Sequence, residues 1–270
     1  MMKKITQAVE YIKSICSTKP SVGIILGTGL STFTEEIKIE AEIFYGDTPH
    51  FPVSTVEGHS GKLIFGELSG KKVVAMAGRF HYYEGYSAEE VIFPVRVMKY
   101  LGVETLLVSN AAGGVNPEFE VGDLMIINDH ISQFSVNPLI GKNEIELGPR
   151  FPDMSEPYDK SIIQKAKQIA KAKGIDIKEG VYIGVTGPTF ETRAEYKMIH
   201  ALGGDAVGMS TVQEVIAAVH MGLQCFAMSV ITDLGIRDQQ NKITHEEVLQ
   251  AAREAEPKFA HLFKELVGQI

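Results

Sequence analysis

The sequence predicts an α/β fold built on a mainly parallel sheet. Two patterns carry that expectation. Apolar runs recur at 22–27, 62–68, 72–78, 104–110, 123–129, 181–186 and 225–232. Several lack polar alternation, as strands covered on both faces do. Helix-period stretches fall at 88–101, 157–173, 192–202, 211–222 and 244–267, and alternation of the two periods is the signature of α/β architecture. No linker, repeat or low-complexity segment divides the chain, so 1–270 reads as one domain.

Each element has a local reason. Residues 1–15 form an amphipathic helix with Ile5, Val9, Ile12 and Ile15 on one face, without the apolar core or cleavage site of a signal peptide. Ser87 with Glu90, and Thr244 with Glu247, have the spacing of a capping box and mark helix starts. Met76, Met98, Met125, Met221 and Met228 read as core filling. Residues 130–156 carry Pro138, Pro149 and Pro152 and little periodicity. A connection that long is expected to be a functional or interface loop.

Composition bounds the function. The chain is 44% hydrophobic and 22% charged, with a formal charge of −8. That balance argues against general nucleic-acid binding but leaves room for a small anionic substrate in a locally basic pocket. Cys16 and Cys225, without a CxxC, read as buried thiols in a reducing compartment. No run reaches the roughly 20 apolar residues of a membrane span, so a cytoplasmic protein is expected. The eight histidines show no ligand spacing, so no metal is expected.

Several segments suit an anion. ILGTGLS (25–31) is a glycine turn after a strand, with Thr28 adding a hydroxyl, although it is neither GxGxxG nor a Walker loop. In GRFHYYEGY (78–86), Arg79, His81 and Tyr83 alternate, so an extended backbone would point all three one way. The guanidinium suits phosphate or carboxylate. His59 lies between glycines in VEGHSG (56–61). SNAAGG (109–114) ends a strand where ligands bind in open α/β sheets, and Ser210 and Thr211 open a helix whose amides favour anions.

Other segments suit a heterocycle. GPTFET (187–192) offers Phe190 beside the Glu191 carboxylate, and DAVGMST (205–211) adds the Met209 thioether. A carboxylate next to an aromatic fits an uncharged ring with an N–H edge. The GMS of 208–210 fails the GxSxG test of a serine hydrolase, because Val212 replaces the second glycine.

Taken in order, GTGLS, VEGHSG, GRFHYYEGY, SNAAGGVNPEFEVGD, GPTFET, DAVGMST and THEEV resemble the trimeric purine nucleoside phosphorylases over nearly the whole chain. The resemblance implies a mixed, twisted, partly barrel-like sheet flanked by helices. It implies a purine-salvage reaction: a purine (2′-deoxy)ribonucleoside and phosphate give free purine and (deoxy)ribose 1-phosphate. It also implies a homotrimer, no metal and no organic cofactor, with phosphate as co-substrate. Carried over by position, phosphate contacts are Thr28, His59, Arg79, His81, the backbone of Ala111, and Ser210. Ribose contacts are Tyr83, Phe190, Met209 and His245, and base contacts are Glu191, Val207 and Asp233. His81, Glu191 and Asp233 carry the catalytic roles. A non-catalytic nucleoside-binding protein is the rival from another class. It has no use for the phosphate set of Arg79, His81 and Ser210.

Thr28 keeps the hydroxyl of the family's usual serine, and two further positions depart from the family. Members acting on 6-oxopurines have asparagine where this chain has Asp233. Either Asp233 binds a proton and donates to purine N7, or it accepts from a 6-amino group, as in the related methylthioadenosine phosphorylases. Glu191 and His245 oppose the second branch, whose pattern has serine and an apolar residue there. The expected preference is for inosine and guanosine. The second departure is Leu147, where the family sends an aromatic from the 130–156 loop into the neighbouring subunit's sugar site; its contribution to that pocket is expected to be aliphatic and smaller.

Overall fold

The computed structural model describes residues 1–53, 60–236 and 243–270. The N-terminal part runs α1 (Met2–Ile15), β1 (Val22–Ile25), β2 (Lys38–Phe44), β3 (Lys62–Leu68) and β4 (Lys71–Ala77). Next come α2 (Ala88–Val91), α3 (Phe93–Leu101), β5 (Thr105–Gly114) and β6 (Leu124–Phe134). The remainder is α4 (Lys160–Lys173), β7 (Lys178–Val185), α5 (Arg193–Ala201), β8 (Ala206–Gly208), α6 (Val212–His220), β9 (Gln224–Leu234) and α7 (His245–Gln269).

Among the described residues these strands form one sheet in the order β2-β3-β4-β1-β5-β8-β7-β6-β9. An added β5–β9 pairing closes β5, β8, β7, β6 and β9 into a five-stranded ring. The sheet is mixed rather than mainly parallel. β1 runs parallel to β4 and β5, and β5 parallel to β9, whereas β2-β3-β4 is an antiparallel meander. Ser69 and Gly70, both at positive φ, make the tight turn from β3 to β4. The α/β class and the partly barrel-like sheet both stand.

Several boundaries moved for physical reasons. The 88–101 helix is broken at Ile92 and restarts at Phe93, because Pro94 has no N–H to give and fits only a first turn. The 157–173 helix starts at Lys160, where the Asp159 carboxylate accepts from the amides of Ser161 and Ile162. On α1, Ile5, Ala8, Val9 and Ile12 are buried, while Ile15 is 50% exposed, because the chain leaves the helix at Cys16 in an extended conformation. Cys16 and Cys225 are buried free thiols. The named methionines pack in or against the core.

The 130–156 region differs most. Strand β6 runs on to Phe134, paired with β7, so the irregular segment starts only after it. Leu147 is not an outward-pointing side chain. It sits at 6% exposure in the protomer's own core, while Ile140, Ile145 and Phe151 are exposed. The cause is a local anchor. Gly148 has φ +144 and lies so close to α6 that an added Cβ would be 1.9 Å from the His220 carbonyl oxygen. His220 Nε2 donates to Pro149 O at 2.9 Å, and its Nδ1 accepts from Arg96 at 2.9 Å. Burial, and then Arg96, lower the His220 pKa and keep the ring neutral, as both bonds require. We predict that Gly148→Ala lowers stability by about 2 kcal/mol, seen as a fall of several degrees in Tm. An unchanged melting curve would show that this contact does not hold the segment.

Candidate active site

The C-terminal ends of β4, β5 and β9 and the start of α6 surround a cavity of about 420 Å3. At one end it is lined by Thr28, Arg79, His81, Ala111 and Ser210. At the other it is lined by Glu191, Val207 and Asp233, and Tyr83, Phe190, Met209 and His245 also face it. Every site position read from the sequence therefore lines one space, except His59, which lies outside the described residues.

The first end is built around a buried guanidinium. Arg79 is 1% exposed and follows β4. Its Nε donates to Glu214 Oε1 at 3.0 Å, and its Nη1 donates to Ser109 O at 2.7 Å and Ser210 Oγ at 3.1 Å. A buried charge needs such partners. The glycine turn comes close because Gly27 has no side chain: a Cβ there would lie 2.7 Å from the Asn110 Cα. Gly27 N instead donates to Ser109 Oγ at 3.2 Å.

Thr211, the N-cap of α6, is strained. It is β-branched yet has φ +73 and ψ −52, and Val212 N bonds back to Ser210 O at 2.8 Å. The surroundings impose this. Thr211 N donates to Glu214 Oε2 at 2.9 Å, and Asn110 Nδ2 donates to Thr211 Oγ1 at 2.9 Å. Strain held by buried bonds clusters at working sites.

His81 keeps its orientation through Glu84. The backbone does not stay extended to Tyr83, because residues Tyr82–Glu84 form a 3-10 turn. That turn brings Glu84 Oε1 within 2.9 Å of both His81 N and His81 Nδ1. A carboxylate only accepts, so Nδ1 carries the proton. Burial lowers the His81 pKa more than Glu84 restores it. The His81 and Tyr83 rings stack at 4.6 Å, which gathers Arg79, His81 and Tyr83 on the cavity by a different route from strand alternation.

The opposite end is acidic. The β5–β9 register shifts after Ala112↔Ile231, so that Gly113 faces Asp233. This irregularity re-aims the Asp233 side chain. Gly113 leaves it room, since a Cβ there would lie 2.9 Å from Asp233 Oδ2. Thr232 Oγ1 donates to Asp233 Oδ1 at 3.1 Å. Glu191 precedes α5, whose capping box joins Thr192 and Glu195. Burial is the main cause of its raised pKa, and Asp233 adds to it. Beneath both carboxylates lies a small apolar cluster of Val115, Ile183, Tyr196, Ile199 and Val207. Phe190 is 42% exposed at the rim.

Sequence reasoning missed Glu84, Asn110, Tyr196 and Glu214. The T-x-x-E spacing of Thr211 and Glu214 was a usable signal for one of them. From this geometry, Glu214→Ala removes the carboxylate bonded to the buried Arg79 and costs about 3–5 kcal/mol. Urea denaturation measures it. A midpoint within error of the parent's would mean that Arg79 does not depend on this partner.

With the geometry in place, comparison with known proteins is informative. The family model of the Phosphorylase superfamily matches residues 21–268. Purine nucleoside phosphorylase 1 of Geobacillus stearothermophilus is 53% identical over 268 residues, which cover 98% of this chain and 97% of that protein. The Schistosoma mansoni purine nucleoside phosphorylase structure in complex with adenosine has a TM-score of 0.95 at 41% identity, covering 100% of this chain and 98% of that one. The same organism's purine nucleoside phosphorylase in complex with inosine has a TM-score of 0.94 at 40% identity, covering 100% and 97%. The chain belongs to the phosphorylase superfamily, among its purine nucleoside phosphorylases.

Proposed function

We propose that this enzyme, a pentosyltransferase, cleaves purine (2′-deoxy)ribonucleosides with inorganic phosphate and prefers 6-oxopurines. One observation carries the reading: a guanidinium with a hydroxyl, Arg79 and Ser210, shares a single cavity with two carboxylates, Glu191 and Asp233. An anion and a neutral heterocycle can occupy its two ends at once.

In this reading phosphate sits against Arg79, His81, Ser210, Thr28 and the backbone of Ala111, and His59 joins the set by resemblance. The sugar lies between Tyr83, Phe190, Met209 and His245. Glu191 accepts the N1–H of a 6-oxopurine, with Val207 against the ring. The glycosidic bond breaks with positive charge growing on the sugar and negative charge on the base. Phosphate near C1′ balances the first charge and then forms the new bond. The enzyme contributes orientation and placed electrostatics. Adenine turns an N1 lone pair towards Glu191, which disfavours it.

Asp233 supports a second reading, in which its carboxylate accepts from a 6-amino group and adenosine or methylthioadenosine is used. The adenosine complex of the Schistosoma mansoni relative is compatible with it. We also infer a homotrimer in the cytoplasm, with the segment after β6 at the subunit interface. Exposed Ile140, Ile145 and Phe151 support that placement. No organic cofactor or metal enters the scheme.

Phosphate-dependent release of base from inosine, guanosine, adenosine and methylthioadenosine tests the proposal, and a preference for methylthioadenosine refutes the 6-oxopurine choice. Glu191→Ala is expected to lower kcat/KM for inosine about 100-fold. Asp233→Asn is expected to shift the 6-oxo to 6-amino ratio about tenfold towards 6-oxopurines, and an unchanged ratio removes Asp233 from specificity. Glu191 must be ionised to accept, and its pKa is raised above 4.5. Activity on inosine therefore falls as pH drops through that raised value, and Glu191→Gln abolishes this limb.

A further inference from the structure

One buried polar atom beside the acidic end has no assigned work. The Tyr196 hydroxyl is fully buried and completes no well-formed hydrogen bond. An unpaired buried hydroxyl is costly, so its retention needs a reason. The residue is 4% exposed, packed among Val115, Ile183, Ile199 and Val207.

Its position is fixed from two sides. Tyr196 N bonds to Thr192 O at 3.0 Å in the first turn of α5. Its ring lies against the backbone just after β9, where a Cβ on Gly235 would lie 2.2–2.4 Å from three ring carbons. The phenol therefore has little room to move. Its hydrogen bonding is directed at Glu191 and favours the ionised form of that carboxyl. Among the described residues, the titratable groups that act most on Tyr196 are Glu191, Asp233 and Glu195, all acidic. Burial and these carboxylates hold the phenol protonated, and it can serve only as a donor to them.

We propose that Tyr196 is a positioning and specificity-determining residue, whose buried hydroxyl donates to Glu191 and holds that carboxylate ionised and oriented for a ring N–H. This rests on the reading of Glu191 as the ring-edge acceptor. Two carboxylates facing one heterocycle repel each other, and Asp233 pushes Glu191 towards its neutral form. A neutral Glu191 would donate its O–H to an unprotonated N1, the adenine pattern. A donor placed behind Glu191 opposes that and keeps the site selective for 6-oxopurines.

The test is Tyr196→Phe in the full-length protein, with kcat/KM for inosine and adenosine measured across pH at saturating phosphate. The expected result is a roughly tenfold loss on inosine, mainly in KM, with a smaller loss on adenosine. The acid limb moves to higher pH by about half a unit or more, and the KM for phosphate is unchanged. A purely structural role would affect both nucleosides and phosphate alike and leave the limb in place, which overturns the proposal. Glu191→Ala, which removes the acceptor, separates the two claims. If it leaves inosine turnover intact, the reading of Glu191 fails, and this inference with it. If it abolishes turnover while Tyr196→Phe behaves as the parent, only this inference fails. Should Tyr196→Phe not fold, 3,5-difluorotyrosine at 196 keeps the ring and strengthens the donor. The acid limb then moves to lower pH, and an unmoved limb overturns the proposal.

Discussion

The Arg79–Glu214 ion pair is the constraint on which the rest of the site depends. Both side chains are nearly solvent-free, at 1% and 3% exposure, so neither tolerates the loss of the other. Their contacts reach across three elements. The guanidinium follows β4, its Nη1 is bound by the Ser109 carbonyl of β5, and Glu214 stands in the first turn of α6. Glu214 also accepts from the Thr211 amide, so the carboxylate that neutralises Arg79 fixes where α6 begins. The strained Thr211 backbone follows from serving both demands. A guanidinium held by Glu214, Ser109 and Ser210 at the wall of a cavity is a fixed, oriented positive charge, which is what the proposed phosphate site requires.

How much of this was legible in the sequence depends on how local each cause is. Capping boxes at Ser87–Glu90 and Thr244–Glu247 are properties of four neighbouring residues, and both stand as read. Apolar runs such as β1, buried at all four positions, announce themselves. Strand β2 does not, because it is an edge strand with only Ile43 buried. Strand β8 is three residues long and exists because β5 and β7 pair with it. Ring closure through β5–β9 is a long-range event that no window of sequence contains. Leu147 went wrong for the same reason: what turns it inward is Gly148 pressed on His220, a contact 72 residues away along the chain.

The site shows the same division. Arg79, Ser210, Glu191 and Asp233 sit in compact motifs, and the structure brings them to one cavity. The residues that hold them were not visible. Glu84, Glu214 and Tyr196 look like a surface acid, a helix-start acid and a core aromatic until their partners are known. Only burial reveals that two of them are paired with cations or potential cations, and that the third has its hydroxyl among carboxylates. Even the correct gathering of His81 and Tyr83 came about through a 3-10 turn rather than an extended strand.

The two ends of the cavity place opposite demands on the proposed reaction. A purine leaving as an anion departs towards Glu191 and Asp233, whose charge opposes it. Such a base is released readily only if a proton reaches it as the bond breaks. An asparagine here would supply a hydrogen-bond donor without titrating, whereas an aspartate supplies one only when protonated. The β5–β9 irregularity presents Asp233 to the cavity, with Thr232 donating to one of its oxygens, so the donor the base requires has a position in the fold but depends on a bound proton. In the proposed reaction, an aspartate at this position thus ties base release to a bound proton. Glu191, raised by burial and by Asp233, cannot be considered apart from it.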